Sequence, residues 1–369
     1  MAHQSANSSI VMRLALLGDI ALFGAFDLKN NPNLKENLGD ICSYLEGFDY
    51  VVGNLETPFS EKHKKHGAKS SHICSNVYNV EVLNWLHVKA VTLANNHMFD
   101  YGKEGYETTV KLLSQNNIDF FGSDGKSLEV EIKDSKLLFN GFCCYSTNPL
   151  RVASKWGRKG INKLNVQDVE KLILENKTFL NIFAIHAGIE HVNYPSVDHI
   201  KLSQQLASIT PFVYYGHHPH VVQGVEEYKG SVIAHSLGNF CFDDIVKDTG
   251  GLVLSDNNRT GIILELEINN NMIDSWKETP FYIEKDGHIT ILKQCPEIEN
   301  YNNFRKMFES NPDEYESSRM STINSYIDSR KSQRNLKWYL DRMRPMYARL
   351  LFDNHNNLRL YKKNISRYL

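Results

Sequence analysis

Along this chain, short apolar runs alternate with stretches whose apolar residues recur every three or four positions. Runs at 11–17, 48–52, 88–93, 118–121, 137–144, 179–185 and 211–215 have the length and composition of buried strands. Helical spacing occupies 33–45, 77–86, 103–115 and 200–209. A strand followed by a helix, repeated, predicts a sheet covered by helices. Shorter strands are predicted at 231–235 and 239–242, around Gly238-Asn239. Turn dipeptides separate edge strands at 261–268, 272–284 and 288–292. Past about residue 296 the period changes to three-and-four over 298–308, 315–329 and 334–351. The expected organisation is a disordered tail at 1–10, an α/β unit at 11–295 and a basic helical extension at 296–369.

Polar residues interrupt the pattern where the strands end, and there they change the picture. Gly18-Asp19, Gly53-Asn54-Leu55-Glu56, Asn95-Asn96-His97, His186-Ala-Gly-Ile-Glu190 and Gly216-His217-His218-Pro219-His220 each follow an apolar run. Function gathers at strand carboxyl ends in α/β sheets. Each residue alone has an ordinary use: Asp19 as a turn or cap residue, Asn54 as a turn former, His97 as a core histidine, 217–220 as a surface turn. Five strand ends offering carboxylate, amide and imidazole together are the pattern of a metal centre. His218 and His220, taken as i and i+2 in extended backbone, are expected to point the same way. His186 ends a wholly apolar strand, and Glu190 is placed to orient it or to handle a proton. Asn96 coordinates in this reading and leaves His97 for the substrate. His217, Asn239 and the basic loop 61–72, with Lys64 and Lys65, are assigned to an anionic substrate. A solvated loop and a plain turn are the competing uses of that loop and of Asn239. His235 and Cys143-Cys144 are assigned to the core.

Composition excludes several classes. With 41 Lys+Arg against 43 Asp+Glu in 369 residues, a general polyanion binder is not expected, and no nucleic-acid motif occurs. Six cysteines without a C-x-x-C pair read as reduced thiols of a cytoplasmic protein. The apolar stretch 10–26 contains Arg13 and Asp19, so it is expected to be neither a signal peptide nor a membrane span. The last helices are rich in Arg330, Arg342, Arg349, Arg359, Lys362 and Lys363. They read as a solvated basic face or as a dock for an acidic polymer, a membrane surface or a partner enzyme.

The same motifs, with Asp100-Tyr101-Gly102 and Ser236-Leu-Gly-Asn-Phe240, resemble in order and spacing those of the CapA capsule-synthesis family. That family is associated with poly-γ-glutamate and other capsules and belongs to the calcineurin-like metallophosphoesterase superfamily. The resemblance implies an α/β fold of two facing mixed β-sheets flanked by helices, and the alternation of strands and turns at 261–292 is what edge strands completing the second sheet would show. It implies Asp19, Asn54 or Glu56, Asn96, His186, His218 and His220 as candidate ligands of one or two divalent ions (Mn, Zn or Fe), and His97 as candidate general acid. The chain departs from the superfamily at Asp19-Ile20-Ala21, where Asp-x-His is usual, and at Gly53-Asn54-Leu55-Glu56, where Gly-Asp-x-x-Asp is usual. The leading expectation is a metal-dependent hydrolase or transferase of surface-polymer biosynthesis, using metal-activated water. It would act on an anionic small molecule or polymer intermediate, in contact with polymer-synthesis enzymes. The alternative is a non-catalytic subunit of a polymer-synthesis complex with a degenerate site.

Overall fold

The computed structural model describes residues 11–61, 65–67, 69, 71–147, 160–245, 251–332, 334, 336–343 and 345–369. The expected tail at 1–10 and Lys64 lie outside them. In chain order the strands are β1 (Met12–Ile20), β2 (Tyr50–Leu55), β3 (Ala90–Thr92), β4 (Asp119–Phe121), β5 (Leu128–Ile132), β6 (Ser135–Cys143) and β7 (Leu180–His186). They continue with β8 (Val213–His217), β9 (Val222–Tyr228), β10 (Ser231–Leu237), β11 (Asn239–Cys241), β12 (Thr260–Asn269), β13 (Met272–Ile283) and β14 (Ile289–Ile291).

Two mixed sheets result. One runs β14-β13-β12-β1-β2-β3-β4, with β11 also pairing β1, and the other β5-β6-β7-β8-β10-β9. In β1, alternate side chains divide between two cores. Met12, Leu14 and Leu16 meet Phe139, Ile182, Ala184, Val213 and Tyr215 of the facing sheet. Ala15 and Leu17 turn outward to Ile41, Leu45, Leu83 and Leu113 of the covering helices. Phe183, Ile185 and Tyr214 pack on the other outer side against Val169, Ile173, Leu202 and Leu206. Each of the larger of these side chains, taken from water, contributes on the order of 1.5–3 kcal/mol.

The strands at 261–292 do not complete the second sheet. β12 pairs antiparallel with β1, Leu14 opposite Leu266, so β12, β13 and β14 extend the first sheet. Strands β5 and β9 and the helix Val166–Glu175, whose Asn165 side chain accepts from the Gln167 N–H, were not among the expected elements. The extension folds as helices Pro296–Asn302, Phe304–Ser310, Pro312–Ser332, Leu336–Arg342 and Pro345–Asn364. Among the described residues, no helix is long and apolar enough to cross a membrane.

Candidate functional site

Strand register brings the polar strand ends together. β1 and β2 are parallel, and one extra residue in β1 between Leu16 and Asp19 shifts the register so that Asp19 falls beside Asn54. On its other side Asp19 pairs with Asn239 of β11. In the facing sheet His186 of β7 lies beside His217 of β8. Gly18 is required by contact: a Cβ there would come 2.1 Å from the Gly238 carbonyl oxygen, whose partner is the Asp19 N–H at 3.0 Å.

Asp19 is wholly buried and firmly held. Asn54 Nδ2 donates to its Oδ1 at 2.8 Å, His217 Nδ1 lies 3.1 Å from the same oxygen, and the His218 N–H donates to Oδ2 at 3.3 Å. Burial opposes its ionisation, yet His217, His220 and Asn54 outweigh burial and hold the carboxyl below its ordinary value. Asn54 is used at both ends, since its Oδ1 accepts from Asn95 Nδ2 at 3.1 Å. Of the two residues left open at this strand end, Glu56 is therefore the one with lone pairs to spare. Its carboxylate is fully buried, and neither oxygen has a hydrogen-bond partner among the described residues. Around Oε1 stand the Nε2 atoms of His220 at 3.8 Å, His97 at 3.9 Å and His186 at 4.0 Å. Burial, with the Asp19 charge added, pushes the Glu56 carboxyl well above its usual range.

The histidine corner differs from expectation. His218 and His220 have φ of 96° and 57°, so neither is extended and their rings do not share a strand face. His220 turns to Asp19, with Nδ1 3.4 Å from Oδ2 and 2.9 Å from Asn239 Oδ1. His218 lies beside His186, ring centroids 4.9 Å apart and the planes tilted by 55°. Positive φ at non-glycine residues costs roughly 1–3 kcal/mol and collects at sites where the surroundings enforce it. His186 Nε2 lies 3.0 Å from Asn96 Oδ1.

The residues assigned to substrate divide. His217 is wholly buried behind Asp19, and Asn239 is buried between His220 and the Asn258 carbonyl, which accepts from its Nδ2 at 3.0 Å. Both hold the cluster, and neither lines the cavity above it. Lys65 is exposed and also outside that lining. The basic loop instead delivers Lys69, which the sequence reading passed over. Its buried ammonium donates to the Asn96 carbonyl at 2.6 Å and to Asp100 Oδ1 at 3.0 Å, and sits 2.8 Å from His97 Nδ1. Asp100 also receives His97 Nδ1 on Oδ2 at 2.6 Å and the Ile73 N–H at 2.9 Å. Burial, then the Lys69 charge, bring His97 down to about 4. Glu190 lines the cavity and accepts from the Tyr326 O–H at 3.0 Å. Asp100 carried a signal, standing three residues after His97 inside a quoted motif. For Lys69 there was none beyond its place in a charged run.

The donor set suits a divalent cation. Asp19, Glu56 and His220 each offer a ligand atom, all three atoms lying within 4.8 Å of one another. The orphaned buried atoms Glu56 Oε1 and Oε2, His186 Nδ1 and His218 Nδ1 are of the oxygen and nitrogen types that Mn, Zn and Fe accept. A cavity of about 280 Å³ opens over them, lined in part by Lys69, Asn96, His97, Glu190 and His220.

Comparison with known proteins gives three kinds of likeness. The sequence model of the family described as Bacterial capsule synthesis protein PGA_cap matches residues 13–244. The chain is 28% identical over 312 residues to the PGA biosynthesis protein CapA of Bacillus subtilis (strain 168), covering 80% of each. It is 27% identical over 216 residues to the capsule biosynthesis protein CapA of Bacillus anthracis, covering 55% of this chain and 53% of that protein. The solved structure of the calcineurin-like phosphoesterase YfkN from Bacillus subtilis aligns over 84% of this chain and 99% of its own, at 13% identity and a TM-score of 0.39.

Proposed function

The chain belongs to the bacterial capsule synthesis family PGA_cap, and from that premise we propose that it is a metal-dependent, phosphoesterase-like hydrolase or transferase acting on an intermediate of a capsule or other surface polymer. In this reading Asp19, Glu56, Asn96, His186, His218 and His220 hold one or two divalent ions, and Asn54, His217 and Asn239 keep the ligands aimed. The carrying observation is the buried Glu56 carboxylate, with no hydrogen bond among the described residues and three imidazole nitrogens 3.8–4.0 Å from one oxygen. Such a group is costly unless something positive joins it. When bound, a divalent ion supplies Lewis-acid polarisation and a nucleophile at neutral pH.

The protein's own residues do the rest. Asp100 fixes the His97 ring through Nδ1 and turns Nε2 to the site, from which the ring gives a proton to a leaving oxygen or nitrogen once it has taken up a second one. Lys69 ties the Asn96 carbonyl to Asp100 and so fixes the 96–100 loop, which Asn95 anchors to β2 through the Leu55 carbonyl. Glu190, held by Tyr326, lines the cavity with His191 and His220.

A second reading, a non-catalytic subunit that retains the site for binding, draws support from His97. Near 4, the ring is neutral at neutral pH, with its one proton on Nδ1 facing Asp100 and none on Nε2 to donate until an anion faces it. Metal analysis of purified protein, followed by phosphoester and amide substrate screens with Mn, Zn or Fe supplied, separates the two. The enzyme reading expects turnover that falls by roughly 10²–10⁴ in His97→Ala at constant metal content. Stoichiometric metal with no turnover on any substrate would transfer the case to the binding subunit.

A further inference from the structure

The family match ends at residue 244, and the last two long segments of helix, Leu336–Arg342 and Pro345–Asn364, lie beyond it. The final helix is held from one side. Its Tyr361 O–H donates to Asp198 Oδ2 at 2.6 Å, and Ile365, just past its end, is buried in the core that contains Phe183 and Ile185. Other sides of the two helices put large apolar residues in water. Leu336, Tyr339, Leu340 and Met343 are all exposed, Leu336 at 74% and Met343 at 79%. Their spacing, i, i+3, i+4 and i+7, sets them in one stripe. In the final helix Leu351, at 71%, and Leu358 are exposed, and seven- and four-residue steps set Leu351, Leu358 and Lys362 on one face. Arg349, Arg359, Lys363 and Arg367 are exposed too. Charge is segregated here: residues 334–369 contain nine Lys and Arg against two Asp, in a chain whose totals are 41 against 43.

We propose that these two helices form a docking face for an anionic lipid surface. Leu336, Leu340, Met343 and Leu351 enter the headgroup boundary, while Arg359, Lys362 and Lys363 meet the lipid phosphates. Exposed apolar residues joined to Lys and Arg are the composition of helices that lie in a membrane interface, where long basic side chains reach up to the charged layer. Charge and apolarity together select this occupant. A polyanion in water satisfies the basic residues and leaves the leucines wet. A second copy of the chain, paired about a two-fold axis, sets Arg359, Lys362 and Lys363 near their own equivalents, which repel. An anionic bilayer supplies negative charge and an apolar phase within one layer, and each Lys or Arg near it adds to the attraction. The attachment is peripheral, since no described helix is long and apolar enough to cross a membrane. Leu350 of the final helix lines the cavity, so the helix that meets the lipid also borders that cavity. The inference does not rest on the metal reading.

The test is flotation of the full chain with vesicles of phosphatidylglycerol mixed with phosphatidylcholine, against vesicles of phosphatidylcholine alone. Two variants are compared with the parent: Leu336→Gln/Leu340→Gln/Met343→Gln, and Arg359→Gln/Lys362→Gln/Lys363→Gln. Circular dichroism and light scattering are recorded on the same samples. The parent is expected to float with the anionic vesicles and not with the neutral ones, and to bind less as salt is raised. Each triple variant should bind at least tenfold more weakly with its helix content kept. If the apolar variant loses helix, Met343→Gln alone replaces it and must still weaken binding. No flotation with anionic vesicles, or equal binding by the parent and either variant, overturns the proposal. A parent that is dimeric without lipid, and monomeric in the apolar variant, with no vesicle binding, gives the stripe to a second copy and overturns it as well.

Discussion

Glu56 and Gly216 show how single residues decide whether the site exists. In metal-free protein the Glu56 carboxylate is buried near Asp19 without a hydrogen bond among the described residues, a burden of about 1–3 kcal/mol for an unmet polar group. Glu56→Gln removes the charge and keeps the shape. Thermal unfolding of the metal-free variant at pH 8 is expected at a temperature equal to or above that of the parent, and the upward shift that Mn gives the parent should vanish. A variant that still gains stability from Mn would show that Glu56 is not a ligand. Gly216 acts through space instead: a Cβ there would sit 1.8 Å from the His235 carbonyl oxygen, across the β8–β10 pairing. Gly216→Ala must therefore push apart the strands that carry the histidine corner. Urea denaturation should register a loss of about 1–3 kcal/mol or more. An unchanged midpoint would mean that the two strands do not approach as described.

At the scale of elements, the apolar runs were legible because burial on both faces leaves little polar residue inside a strand. β1, β2, β7 and β8 read directly, and so did the polar residues that end them. Asp19, Asn54, Glu56 and His186 meet because parallel strands place their carboxyl ends at one edge, a consequence the alternation of strand and helix already carried. The rest depended on contacts distant in sequence. β9 follows Pro219 and a turn, and its apolar residues Val222 and Val225 lacked a clean alternation. The positive φ of His218 and His220 was not read from the sequence: histidine takes such angles more often than most residues, but nothing local says which histidine does. The strands at 261–292 were placed in the wrong sheet because alternation reports a strand's faces and says nothing of its neighbour. Lys69 looked like any loop lysine. Its value comes from Asp100 and the Asn96 carbonyl, about thirty residues on, and no local period encodes that meeting.

For the molecule as a whole, the packed histidines set an acid limit. Burial, ahead of neighbouring charge, brings His97, His191, His199 and His218 down to about 4 and His186 well below its ordinary 6.5. The unfolded chain takes up protons below 6.5 that the folded chain refuses, so their contribution is complete above 6.5 and drains away as pH falls from 6.5 through 4. Glu56 runs the other way: its raised carboxyl value costs stability as pH rises above 4.5, so acid relieves it. Five imidazoles outweigh one carboxyl, and the melting temperature of metal-free protein is expected to fall steadily from pH 7 to pH 4. A flat profile over that range would mean that these rings are protonated in the fold. All of this converges on one place where strand ends from both sheets meet. The most direct measurement is an anomalous difference map from crystals grown with Mn. The account predicts a peak within about 2.5 Å of carboxylate oxygens of Asp19 and Glu56 and of a ring nitrogen of His220, whereas a map with no peak among those three residues would contradict it.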